Sequence, residues 1–298
     1  MHAAATEAPS APLRTLLRSI GQVVLQGNAF TGACLLGGWL LCDPRLACAA
    51  LMGAIAANVS ALLAGHHDDD IRAGLYGFNG ALAALAAFVF IADNSTAAAT
   101  AILAATGTAW LLAPWSRWLR SRGLGYFSSP CLIVTWLWLP LAQSAGQPAS
   151  VAATHSLDAA RLVGGVLAGL AQTGFAAGAP AGLLVLIGIA AASTRHALYA
   201  LIGAAFASGV HALLGAPASS FDAGLLGFNG TLTALALADC GMAWMLGGVA
   251  VSVGLQAAAV AVGLPAMTAP FVAATWGAQW LGQRVTRHPP GETTTRNA

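Results

Sequence analysis

The chain carries a long internal duplication, and this feature limits its possible folds more than any other. Residues 22–86 align with residues 172–236 without a gap, and 25 of these 65 positions are identical. The densest match sets AGLYGFNGAL at 73–82 beside AGLLGFNGTL at 223–232. A second pair of motifs, FSSPC at 127–131 and MTAPF at 267–271, aligns at an offset of 140. The sequence therefore predicts two related halves, with ten extra residues between the two motifs of the first half, around 117–125.

Long stretches without charge place these halves in a bilayer. Residues 46–65, 97–114 and 242–265 contain no Asp, Glu or Arg, and each approaches the roughly 20 apolar residues that cross a hydrocarbon core. Only 7% of the 298 residues are charged, against about 25% in soluble domains. The sequence thus predicts an all-α polytopic membrane protein and argues against a soluble enzyme. The net charge of +2 gives no reason to expect a nucleic-acid partner.

Each half shows the same order of apolar segments. They run over 29–42, 46–65, 77–92, 97–113 and 126–142, and again over 180–194, 196–215, 227–238, 243–262 and 266–282. Between the second and third segments lie 66–77 and 216–227, which we expect to form a re-entrant half-helix in each half. Five spans per half is an odd number, so the two halves are expected to be inverted around a central pore.

The arginines support this inverted topology. With the N-terminus inside, ten of the 12 arginines fall on the cytoplasmic side, and only Arg45 and Arg161 fall outside, as the positive-inside rule predicts. Both termini are then cytoplasmic. The expected divisions are an N-terminal cytoplasmic tail at 1–13, a first half at 14–142, an external linker at 143–160, an inverted second half at 161–282 and a C-terminal cytoplasmic tail at 283–298.

The polar residues at membrane depth are few and neutral. They are Gln22, Gln172, Asn79, Asn229, Ser128, Thr268 and His211. Ion pathways and proton-coupled pumps usually carry intramembrane acids or bases, so this set favours passive passage of a neutral polar solute. Apolar residues of the two halves could form a flat slot, with amides and hydroxyls at its edges. The expected slot residues are Phe78, Leu82, Phe175, Phe228 and Leu232.

These motifs resemble the urea transporter family. The resemblance rests on GLYGFNG and GLLGFNG, on QVVL at 22–25 and QTGF at 172–175, and on LPAMTAPF at 264–271 with Thr275-Trp276, and it covers about 14–282. It implies a homotrimer with one channel-like pore per subunit, moving urea down its gradient without a cofactor or metal. Gln22 and Gln172 would be hydrogen-bonding mouth residues, the Phe and Leu residues named above the slot walls, and Thr268 a constriction hydroxyl.

Three single residues and one short segment depart from the family pattern. The segment is Gly27-Asn28-Ala29, which replaces the Asn-Asn-Pro that commonly follows the first Gln motif. Leu25 stands where the family usually has Phe, Ser128 replaces Thr, and Cys131 replaces Phe. We count Leu25 and Ser128 among the pore residues, where they would alter one wall and keep a hydroxyl. The alternative function is a passive channel for ammonia, water or a short amide. The short chain suggests a bacterial inner membrane.

Several of these residues have a purely structural alternative. Asn79 and Asn229 could cap or pack helices, and Gln22 and Gln172 could form interhelical hydrogen bonds. The HHDDD stretch at 66–70 invites a metal assignment. Its counterpart in the second half is APASS at 216–220, so a solvated loop is the better interpretation.

Overall fold

The computed structural model describes residues 11–142 and 159–287, and within those ranges it contains helices, turns and loops but no strand. The first half consists of α1 (Ala11–Gly21), α2 (Ala29–Cys42), α3 (Pro44–Leu63), α4 (Asp68–Arg72), α5 (Gly77–Phe90), α6 (Asn94–Arg120) and α7 (Ser129–Ala142). The second half consists of α8 (Ala159–Ala171), α9 (Ala179–Ala192), α10 (Thr194–Leu213), α11 (Ala218–Asp222), α12 (Phe228–Ala236), α13 (Met242–Ala261) and α14 (Ala269–Arg287). Short 3-10 helices follow α1 (Gln22–Val24), α8 (Gln172–Gly174) and α12 (Ala238–Cys240). Of the predicted linker, 143–158 lies outside the described residues.

The ten apolar segments all fall on helices, and the all-α membrane fold is confirmed. Segment 29–42 coincides with α2, while segment 97–113 is only the apolar part of the 27-residue α6. Helix α6 continues past the apolar region because Ser116, Arg117 and Arg120 are compatible with a helix that leaves the bilayer. We call the equivalent element or residue in the other half its mate. The mate of α6 is α13, which has 20 residues, so most of the ten extra residues lengthen α6.

Four of the described helices are long and apolar enough to cross a membrane, namely α3, α6, α10 and α13. Two further spans are broken: α1 with its 3-10 turn meets α2 at 75°, and α8 with its turn meets α9 at 70°. Helices α5 and α7 are apolar but only 14 residues long, about 21 Å.

The two stretches predicted to be re-entrant each contain one short helix. Stretch 66–77 holds only the five-residue α4, and stretch 216–227 only the five-residue α11, each about 7 Å long. Helix α4 ends before Gly74, which has φ +83° and packs against the backbone of Ser19. Each broken pair is a bent span or a re-entrant loop, and α5, α7 and α12, with 14, 14 and 9 residues, are shorter than the roughly 20 residues of a full crossing.

Glycine pairs bring two helices of each half into backbone contact. A Cβ on Gly53 of α3 would overlap the carbonyl oxygen of Gly80 of α5, and a Cβ on Gly80 would overlap that of Gly53. Gly203 of α10 and Gly230 of α12 repeat this reciprocal contact. Small residues allow such close packing in a bilayer. The second glycine of each GFNG motif is therefore explained by helix packing.

The two halves meet along α2 and α9. Thr31 of α2 donates its hydroxyl to the carbonyl of Gly188 over 2.7 Å. The mate of Thr31 is Ala181, which lies against Gly38, the mate of Gly188. Each half thus offers the same surface to the other, as expected for a pair related by an approximate two-fold axis.

Candidate functional site

The ends of the broken helices α1 and α8 form two turns that face each other near the centre of the protein. We call residues 22–25 the first tip and residues 172–175 the second tip. Each contains a 3-10 turn, and the two turns are in contact. Gln22 and Gln172, the predicted mouth residues, begin these turns and are both half-buried. The amide of Gln22 donates to the carbonyl of Ala73 over 3.3 Å.

Both tips end in a large side chain with left-handed backbone. Leu25 has φ 58° and Phe175 has φ 60°. Phe127 and Met267, which precede α7 and α14, have φ 45° and 49°. These four are the positive-φ residues other than glycine in the described chain. Such backbone costs about 1–3 kcal/mol per residue and concentrates at functional sites, so the geometry marks this region independently of any motif.

Each tip contacts the short helix of its own half, α5 or α12, and the other tip. Leu25 of the first tip lies in an apolar cluster with Leu232 of α12. Phe175 of the second tip packs against the cluster that includes Phe78 and Leu82 of α5. Leu25 packs against this second cluster as well, so it lies between residues of the two halves. Apolar residues predicted as slot walls therefore meet across the boundary between halves.

Asn79 and Asn229 tie together the beginnings of the short helices. The Asn79 amide donates to the carbonyl of Phe127 over 3.2 Å and accepts from the backbone N–H of Cys131 over 3.1 Å. Asn229 does the same with Met267 and Phe271, at 3.0 and 3.3 Å. Each amide therefore holds α7 or α14 against α5 or α12 rather than capping its own helix.

The beginnings of α7 and α14 meet at a pair of hydroxyls. Ser128 Oγ and Thr268 Oγ1 are 2.9 Å apart, and either oxygen can be the donor. These residues occupy equivalent positions of the two motifs at offset 140, so equivalent residues of the two halves meet here. The Ser128 side chain is buried and that of Thr268 is half-buried. Two groups that can donate or accept a hydrogen bond thus lie where the halves join.

Two tryptophan side chains make equivalent hydrogen bonds on either side of the Ser128–Thr268 contact. Trp136 of α7 donates its N–H to the carbonyl of Pro265 over 3.0 Å, and Trp276 of α14 donates to the carbonyl of Gly125 over 2.6 Å. Gly125 and Pro265 are themselves mates at offset 140. Because each segment preceding a helix runs alongside the other helix, α7 and α14 point in opposite directions from this contact.

Of the remaining predicted residues, Phe228 is half-buried at the first position of α12. Cys131 is buried beside Thr135, with 3.8 Å between the sulfur and the hydroxyl. Among the residues described, no group of three or more His, Cys, Asp or Glu side chains is arranged to hold a metal ion.

Sequence reasoning missed Phe127, Met267 and Tyr126 as neighbours of the site. The ring of Tyr126 lies 6.1 Å from that of Phe78, and Phe127 stacks edge-on against Phe271 at 5.3 Å. The sequence signal that could have identified Phe127 and Met267 is their position directly before Ser128 and Thr268 in the two aligned motifs. A left-handed φ, however, cannot be recognised from a Phe or Met residue type.

Comparison with known families gives one match. Residues 13–282 match the urea transporter family model. The chain therefore belongs to the urea transporter family. The match covers both halves and all ten predicted site residues. Comparison with curated proteins gave no match.

Membership of the urea transporter family settles the general activity. The protein is a multi-pass membrane protein that transports urea passively, and the family is one of transporters rather than of enzymes. The resemblance drawn from the paired GFNG motifs is thereby confirmed.

Proposed function

We propose that urea crosses the membrane as a single solute between the two halves, past the hydroxyl pair of Ser128 and Thr268. The observation that carries this proposal is the 2.9 Å contact between those hydroxyls, where equivalent residues of the two halves meet. A hydroxyl can accept from a urea N–H and donate to its carbonyl oxygen, which replaces hydrogen bonds lost on leaving water.

The slot walls are Leu25, Phe78, Leu82, Phe175, Phe228 and Leu232. The contact between the two tips supports this assignment, as does the apolar cluster that holds Leu25 and Leu232 together with Phe127 and Met267, the residues that precede the two hydroxyls. Flat apolar walls fit a planar solute and exclude a hydrated ion. Gln22 and Gln172, which lie at the tips, are the hydrogen-bonding groups on either side of the centre.

The helix directions favour a neutral solute over a cation. Asn79 and Asn229 gather the N-terminal ends of α5, α7, α12 and α14 around Ser128 and Thr268. The N-terminus of a helix carries a partial positive charge. Four such ends around one point disfavour protons and ammonium there, so urea or another neutral molecule is the expected passenger.

The orientation and assembly belong to the same proposal. The two halves, 14–142 and 161–282, are inverted in the membrane, with both termini cytoplasmic, and the protein is a homotrimer in a bacterial inner membrane with one pore per subunit. Opposite directions of α7 and α14 support the inversion. Arginines stack on exposed tryptophans at one end, Arg122 on Trp118 and Arg284 on Trp280, as is typical of a membrane interface.

Reconstitution tests this function. Stopped-flow permeability to urea and to water is measured on the same proteoliposomes, with thiourea and acetamide as competitors. We expect urea permeability well above that of empty vesicles and a smaller rise for water. Urea flux equal to that of empty vesicles would contradict the proposal. A larger rise for water or ammonia than for urea would favour the alternative channel.

A further inference from the structure

A large groove opens on the first half, beside α1. It has a volume of about 870 Å³ and lies between α1, the end of α3 and α4. One part is apolar and includes Ile55, Val59 and Leu62, which are exposed. The other part carries Arg14, Arg18 and Arg72, with Asp68 as the only acid among the lining residues.

The arginines stand close together at the ends of helices. Arg14 and Arg18 are one turn apart on α1, and Arg18 donates to the backbone carbonyl of Arg72 over 3.4 Å. Arg72 also lies 3.8 Å from Asp68 in an exposed pair, which is a weak interaction. Among the lining residues three arginines therefore stand against one acid, while Asp69 and Asp70 follow Asp68 on α4 without lining the groove.

The second half carries none of these arginines. The mates of Arg14, Arg18 and Arg72 are Gly164, Ala168 and Asp222. The duplicated fold therefore forms without positive charge at these positions. The positive-inside rule accounts for the side of the membrane on which these arginines are predicted to lie, but not for their place around one groove.

In the second half an ion pair, which we call the latch, spans the equivalent surface between α8 and α11. Arg161 of α8 forms two hydrogen bonds with the carboxylate of Asp222, at 2.7 and 2.6 Å. Beside this ion pair the ring of Phe221 fills the space that a side chain on Gly165 would need. In the first half Ala11 and Arg72 take the places of the latch residues, so no such ion pair can form there.

We propose that this groove binds an anionic phospholipid, with its phosphate on Arg14, Arg18 and Arg72 and an acyl chain along Ile55, Val59 and Leu62. Arginine matches phosphate oxygens geometrically, and basic pockets between membrane helices bind anionic head groups. The predicted topology places the three arginines on the cytoplasmic side, where anionic lipids are abundant. A polar end joined to an apolar groove fits a lipid better than a soluble anion.

Lipid adducts measured by native mass spectrometry test this site. The full chain is titrated with phosphatidylglycerol or phosphatidylethanolamine of the same acyl chains. We expect preferential binding of phosphatidylglycerol, weakened about fivefold for each arginine removed by Arg14→Gln or Arg18→Gln. The control variants Arg122→Gln and Arg284→Gln remove a charge outside the groove and should retain the preference.

A second variant closes the groove. Ala11→Arg together with Arg72→Asp copies the latch of the second half, and we expect it to abolish the preference while urea flux remains. Equal binding of both lipids, no effect of the groove variants, or full competition by millimolar inorganic phosphate would each overturn the proposal. So would a change of oligomeric state on removing Arg14 or Arg18, because the groove would then hold a second subunit. Lipid binding is read independently of transport, so failure here leaves the transport proposal standing.

Discussion

At the scale of single residues, the backbone of Leu25 makes a sharp prediction. Its φ of 58° matches the 60° of Phe175, so this conformation accepts an aromatic side chain. A β-branched residue is poorly tolerated there. We expect Leu25→Phe to fold normally and Leu25→Ile to lose about 1–3 kcal/mol of stability, measured by thermal unfolding in detergent.

The control for this pair is Leu36→Ile. Leu36 packs against the same apolar cluster but lies inside α2, where a β-branched side chain costs little. Equal destabilisation by Leu25→Ile and Leu36→Ile would mean that the left-handed backbone of the tip imposes no special constraint.

A second residue-scale prediction concerns Asn79. Asn79→Leu replaces the amide by an apolar side chain of similar size. The carbonyl of Phe127 and the N–H of Cys131 then lose their hydrogen-bond partner. An unsatisfied buried group costs about 1–3 kcal/mol. We expect a clear fall in melting temperature, whereas Asn94→Leu at the exposed start of α6 should have little effect. If the two variants melt together, Asn79 does not hold α7 in place.

At the scale of helices, the close contact between α10 and α12 depends on glycine at two positions, 203 and 230. Gly203 faces the carbonyl of Gly230, and an ideal Cβ on Gly203 would come within 2.6 Å of that oxygen. Gly209 on the same helix has no such neighbour within 4 Å of its Cβ position. We expect Gly203→Val to destabilise by about 1–3 kcal/mol and Gly209→Val to be tolerated, by the same thermal assay. Loss of stability in both variants would point to helix propensity rather than packing.

The sequence predicted the helices better than the turns between them. Apolar segments located α2, α3, α10 and α13 within two residues, because lipid requires long uncharged runs. It predicted re-entrant half-helices at 66–77 and 216–227, where the structure has five-residue helices. The real tips follow α1 and α8, where polar Gln22 and Gln172 interrupt the apolar pattern and hide the continuity of the span.

The site was predictable only in part for a related reason. The duplication identified Ser128 and Thr268 as mates, but their contact depends on how two distant segments pack. The roles of Asn79 and Asn229 were likewise undecided between capping and other contacts, since an amide can do either. In the structure both amides bond the segments that begin α7 and α14, which the motif alone does not encode.

At the scale of the whole molecule, inversion of the halves can be tested with native cysteines. Cys42 and Cys240 are both exposed and end α2 and the α12 segment, so the proposed topology puts Cys42 outside and Cys240 inside. Variants retaining one of the two, with the other four cysteines replaced by Ala, are treated with an impermeant maleimide in sealed right-side-out vesicles. We expect labelling of Cys42 alone, and labelling of both after detergent is added.

Labelling of both cysteines in sealed vesicles would place the two ends on one face. The halves would then be parallel in the membrane, and the meeting of equivalent residues at Ser128 and Thr268 would have to be explained otherwise. Labelling of Cys240 alone would preserve the inversion and reverse the orientation of the whole protein.

The passage of urea at the hydroxyl pair is tested most directly by two matched valine variants. Thr268→Val keeps the side-chain shape and removes the hydroxyl that bonds Ser128. Thr275→Val on the same helix removes a buried hydroxyl that has no hydrogen-bond partner. With equal amounts reconstituted, the proposed mechanism predicts that Thr268→Val cuts stopped-flow urea permeability severalfold, about the effect of one hydrogen bond, while Thr275→Val conducts like the parent. Parental urea flux through Thr268→Val would contradict it.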